Sequence, residues 1–86
     1  MGRKPKLKPL PKVLRLPLSN DLDGLADKKT NTILLDRRLP PFLLLETTIH
    51  EALHLAAWQD SERKVTIRAR YIARVLWAQG YRISTK

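Results

Sequence analysis

The apolar positions of this chain change their period twice. Up to residue 12 there is no period: Pro5, Pro9 and Pro11 alternate with lysines, a composition that favours extended, polyproline-like chain. Val13-Leu14-Arg15-Leu16-Pro17-Leu18 then alternates imperfectly around one proline, which suits a short edge strand. Ser19-Asn20-Asp21 reads as a turn. Leu22 to Asp27 is weakly strand-like, with Asp23-Gly24 offering a bend or bulge, and Lys28-Lys29-Thr30-Asn31 is a polar connection. Thr32-Ile33-Leu34-Leu35-Asp36 is the clearest strand. Pro40-Pro41 closes the β part, because the second of two prolines is at home in the first turn of a helix.

Beyond the prolines the period lengthens. Phe42 to about Trp58 lacks Gly and Pro and is rich in Leu and Ala, so it reads as one helix. Helical angles gather Phe42, Leu45, Ile49, Leu53 and Ala56 on a broad apolar face, with Leu43, Thr47, His50, Glu51, His54 and Trp58 on the adjoining strip. Asp60 or Ser61 can cap a second helix that runs to about Gln79, with Val65, Ala69, Ile72, Ala73 and Leu76 as its apolar stripe. Gly80 is its expected stop, and Tyr81-Arg82-Ile83-Ser84 is a short closing strand or a tail. The expected fold is α+β: a small antiparallel sheet of two or three short strands packed against two helices. Residues 1–12 form an arm and 13–86 the domain.

Length and charge narrow the choice of function. An 86-residue chain forms one domain that buries only about 60–65% of its unfolded surface, so its core is small and a bound metal would help to hold it. The absence of cysteine excludes disulfides, thiolate metal sites and a cysteine nucleophile. No apolar run approaches the roughly 18 residues of a membrane span, and a cytoplasmic location is expected. The formal charge is +9, and the first 16 residues hold six cations and no acid. Such a cluster is either a solvated tail or a contact for nucleic acid or an acidic protein surface, through Arg3, Lys4, Lys6, Lys8 and Lys12.

The chemistry concentrates in Thr48-Ile49-His50-Glu51-Ala52-Leu53-His54. Both histidines of the chain lie in this stretch, in the pattern H-E-x-x-H. On a helix, His50 and His54 share a face with Cβ atoms about 5–6 Å apart, close enough for two imidazoles to meet at one tetrahedral ion. Glu51 lies roughly 100° round the same turn, suited to a metal-bound water as general base. A catalytic zinc site usually has three protein ligands, so a carboxylate must complete the set. Glu62 falls in the first turn of the second helix and in the middle of its apolar stripe, where an acid needs a partner. Asp60 is the competing ligand, and a plain helix-dipole role for Glu62 is the alternative. Tyr81 and Arg82 are the candidates for stabilising an oxyanion. Trp58 either walls the site or packs in the core, and Tyr71 is expected on the surface.

Gly24-Leu25-Ala26-Asp27, Ile33-Leu34-Leu35-Asp36, the H-E-x-x-H stretch and Ser61-Glu62 together resemble the minimal zincin-like metallopeptidases of the gluzincin type. The similarity is to short proteins common in tailed bacteriophages and, more distantly, to the ImmA/IrrE and SprT-like groups. It covers about residues 22–82, and only H-E-x-x-H is specific. The resemblance implies zinc held by His50, His54 and Glu62, Glu51 as general base, and an edge strand at Ile33, Leu34 and Leu35 along which an extended peptide substrate pairs. Zinc-dependent peptide hydrolysis is thus the expected function. The alternative is a noncatalytic protein that uses zinc as a staple and its basic arm and Arg-rich helix as a binding surface.

Overall fold

The computed structural model describes residues 5–19 and 21–84; Arg3 and Lys4, two of the five basic arm positions, and Asn20 of the expected turn lie outside them. The element order is β1 (Lys12–Leu16), β2 (Gly24–Asp27), β3 (Thr32–Asp36), α1 (Pro41–Ala56) and α2 (Glu62–Ala78). The class is α+β, with one three-stranded sheet and two helices.

The sheet departs from the expected pattern in two linked ways. Its strand order is β1-β3-β2, with β2 antiparallel to β3 but β1 parallel to it, so the sheet is mixed. β3 is therefore the central strand. Its run of consecutive apolar residues carries the reason: Ile33 and Leu35 are 1% exposed against α1, while Leu34 on the other face lies between Leu14 and Leu25 of the neighbouring strands. The central place of β3 lets Leu34 be partly shielded by its cross-strand neighbours even though no helix covers that face, where Leu14 and Leu25 stay 38% and 45% exposed. The expectation that Ile33, Leu34 and Leu35 offer a free edge is accordingly corrected, since both edges of β3 are already paired.

Local chemistry sets the turns. Asn31 closes the β2–β3 hairpin at φ 50°, a left-handed conformation that asparagine tolerates, and Asp27 Oδ1 accepts from the backbone of Lys29 at 3.0 Å. At the far end of β3, the buried Asp36 accepts from the Arg38 backbone N–H at 2.9 Å and is clamped by the Arg38 guanidinium, which also donates to the Leu18 carbonyl. This ties the end of β3 to the segment after β1.

α1 begins at Pro41, in the first-turn position where its missing N–H costs nothing. The helix lies between the sheet and α2, and among the described residues α2 touches α1 but not the sheet. Its buried side differs from the expected one. Leu44, Leu45, Thr47 and Glu51 are buried, whereas Ala56, placed on the apolar face by wheel angles, is exposed. Leu44 meets Ile33 and Leu35, with Leu39, Leu55 and Ile83 packed around them. α2 starts after Ser61, whose Oγ accepts from Lys64 N at 3.1 Å, and Gly80 follows its end at φ 92°. Val65, Ala69 and Ala73 form its buried stripe; alanine at the contact lets the two helices approach closely. Ile72, assigned to that stripe from the sequence, is 36% exposed. Among the described residues no strand forms after Gly80: residues 81–84 run without regular structure, with Ser84 O accepting from Arg15 Nη1.

Candidate metal centre

α1 presents His50 and His54 one turn apart, and the five residues between the helices return the chain so that Glu62, the first residue of α2, faces them. His50 Nε2 and His54 Nε2 are 3.2 Å apart. Glu62 spans the pair, with Oε1 at 2.8 Å from His54 Nε2 and Oε2 at 3.0 Å from His50 Nε2. Three donor groups thus converge on one point, and the histidine side chains are only 18% and 20% exposed.

These separations bear on what could sit among them. Tetrahedral zinc with bonds of about 2.0–2.2 Å needs neighbouring ligand atoms about 3.3–3.5 Å apart. The two histidine nitrogens are close to that spacing, and with one oxygen taken from Glu62 the three ligand atoms lie within 4.8 Å of one another, so a small movement of the Glu62 carboxylate would accommodate an ion. The donor set of two imidazoles and one carboxylate also matches zinc better than the all-oxygen shells of calcium or magnesium. Asp60 is engaged elsewhere, with Arg68 Nη1 at 3.2 Å and Lys64 Nζ at 4.0 Å. Glu62 is the carboxylate that the fold brings to the histidines.

Electrostatics separate the two glutamates. Burial tends to raise the Glu62 carboxyl, but the His54 hydrogen bond, the charges of His50 and His54 and a contact from Thr66 Oγ1 at 3.4 Å outweigh it and hold it below its ordinary value. Glu51 is shifted the other way. It is buried against β2, and that burial raises its pKa despite the nearby histidines. Among the described residues its carboxylate has no ion-pair partner.

No protein-family model, curated protein or solved structure matches this chain.

Two recesses meet at the cluster and share Gly24, His50, Glu51 and Glu62. One, of about 260 Å³, is polar and includes Thr47, Thr66, Glu46 and Arg70; Arg70 Nε donates to Glu46 Oε2 at 2.8 Å. The other, of about 490 Å³, is bordered by Leu22, Leu25 and Trp58. Trp58 is 43% exposed, with Lys28 Nζ 5.8 Å above its ring, so it walls this recess and is not a core residue.

Sequence reasoning missed Gly24 and Arg70. A Cβ at Gly24 would lie 2.8 Å from Thr47 Cγ2 and 3.2 Å from Glu51 Cγ, so glycine is what lets β2 approach the helix at Glu51. Arg70 follows Glu62 and Thr66 at four-residue steps, a spacing visible in the sequence once Glu62 is assigned to the site. Tyr81 and Arg82 are corrected: neither borders a recess shared with the cluster, and Arg82 instead stacks 3.4 Å over the Trp77 ring. They follow a 17-residue helix that puts about 25 Å between its ends.

The basic arm is also engaged. Lys8 Nζ donates to the carbonyls of Leu55 and Ala56 at the end of α1, and Asn31 Nδ2 donates to Pro9 O and Leu10 O. Lys6 and Lys12 are exposed.

Proposed function

We propose that this chain is a zinc-dependent hydrolase of peptide bonds, with His50, His54 and Glu62 as metal-holding residues and Glu51 as general base. The observation that carries the reading is the meeting of His50, His54 and Glu62, whose ligand atoms lie within 4.8 Å of one another, beside a buried Glu51 carboxylate that has no ion-pair partner among the described residues. When bound there, zinc would supply Lewis acidity, bringing the pKa of a coordinated water to about 7. Glu51 is suited, through its carboxylate, to take a proton from the attacking water and to return it to the leaving amine. Its raised proton affinity and its position at the junction of both recesses support the role.

β2 supplies the rail for an extended substrate. It is an edge strand, and the ladder bond from Asp36 N to Asp23 O fixes the alternation so that Gly24 and Ala26 turn their N–H and C=O groups away from β3. A peptide paired along that edge would pass over Glu51, with one side chain toward Trp58 and another toward Arg70.

The test is hydrolysis of fluorescein-labelled casein by zinc-loaded protein. Glu51→Gln is expected to retain zinc while losing activity by about 10²–10⁴-fold. Equal activity in the variant would eliminate Glu51 as the base. Zinc binding with no hydrolysis by the wild type would leave the cluster as a staple between α1 and α2.

A further inference from the structure

α2 carries a second apolar pattern on the side turned away from α1. Ile67, Tyr71 and Val75 follow one another at four-residue steps, two residues out of phase with the buried Val65-Ala69-Ala73 stripe, and are 57%, 66% and 45% exposed. Cations flank this ridge: Arg63 and Arg74 on one side, and on the other Lys64 and Arg68, which share Asp60. The helix has no acidic residue except Glu62, which is turned inward to the histidines. Each end of the ridge opens into a shallow recess. One, of about 330 Å³, surrounds Ile67 with Arg63, Lys64 and Arg68. The other, of about 470 Å³, is walled by Phe42, Trp77, Tyr71 and Val75, with Arg74 at its rim.

We propose that this outward face of α2 is a docking surface for an acidic, amphipathic segment of a partner protein. Two features together select that partner. Arg63 and Arg74, which have no carboxylate partner among the described residues, call for carboxylates, and an aromatic-walled recess beside an apolar ridge calls for an apolar anchor that phosphate backbone does not provide. A second copy of the same face is excluded by charge, since both would present the same cations. Single-stranded nucleic acid fits less well: Phe42 and Trp77 pack edge-to-face on each other and Arg82 covers the Trp77 ring, so Tyr71 is the aromatic left for stacking, and Ile67 and Val75 offer bases no π-face. Because Glu62 and the ridge lie on opposite sides of α2, the surface stands whether or not the metal centre is catalytic.

The experiment uses the full chain and fluorescence anisotropy with four probes: a helical Leu/Glu peptide with its leucines on one face, the same peptide with serine at each leucine, oligothymidylate, and vesicles containing phosphatidylserine. The expected result is binding of the Leu/Glu peptide at least about tenfold tighter than the serine peptide, with that margin removed by Tyr71→Ser combined with Val75→Ser. Both side chains are exposed, so the variant should keep the wild-type circular dichroism spectrum and zinc affinity. Three results would overturn the proposal: no binding of the Leu/Glu peptide, equal binding of the two peptides, or tighter binding of oligothymidylate or vesicles. Undiminished binding by the folded double variant would overturn it as well.

Discussion

Among single residues, His50, Glu51 and His54 were legible because their spacing is a property of one helical turn, independent of tertiary structure. Glu62 was legible from helix phase, which turns the first residue of α2 toward α1; the burial expected there does not follow, since its side chain is 70% exposed and is held by the two histidines at the surface. Gly24 was not. Its role comes from the approach of β2 to α1, which no local pattern encodes. Gly24→Ala is expected to force β2 and Glu51 apart, because Leu34 O at 3.2 Å as well as Thr47 Cγ2 would confront the new methyl group. A loss of about 1–3 kcal/mol in urea unfolding is expected, together with reduced hydrolysis, and a variant as stable and active as wild type would contradict the close approach. Glu62→Gln keeps the shape but removes the charge; it should weaken zinc binding at least about tenfold in a chelator competition assay.

The elements themselves were read more securely than their pairing. Both helices begin and end within two residues of the expected positions, since Pro41, Ser61 and Gly80 are local signals. The order of the strands depends on which segment pairs with which, and no local pattern in Thr32–Asp36 distinguishes the central strand that forms from the edge expected there. Its clamp offers a pH test. Side-chain hydrogen bonds from Arg38, then its backbone N–H, hold the Asp36 carboxyl well below the ordinary carboxylate range. A carboxyl lowered in the folded state stabilises the protein above the unfolded value of about 3.9, and that stabilisation is lost as pH falls toward the folded value. Melting temperature should therefore fall on acidification below about pH 4, and Asp36→Asn should melt lower at neutral pH with a smaller acid-dependent fall. At the start of α2, Ser61→Ala removes the cap on Lys64 N and should cost about 1 kcal/mol in thermal or urea unfolding. The same change loosens the turn that carries Glu62, so zinc affinity should fall with it.

On the scale of the whole molecule, α2 is attached to the rest at three places. The His50–His54–Glu62 cluster lies near its start, the Arg70–Glu46 pair near its middle, and Phe42 meets Trp77 edge-to-face at 5.3 Å near its end. Between them lies only the narrow Val65-Ala69-Ala73 stripe, which is why an ion at the first attachment should stabilise the entire fold. Overall charge was legible from composition, but the use of the arm was not, because Lys8 reaches the end of α1 only through folding. Its ammonium meets the exposed carbonyls there, at the negative end of the helix dipole, and Lys8→Ala should lower stability by about 0.3–1 kcal/mol. The central claim, that this fold is built around a metal centre, is tested most directly by titrating zinc into chelator-treated, untagged protein while following heat release and melting temperature. The expected result is one zinc per chain with a raised melting temperature, both abolished by His54→Ala. Zinc uptake unchanged by that substitution, or an unchanged melting temperature at saturating zinc, would contradict it.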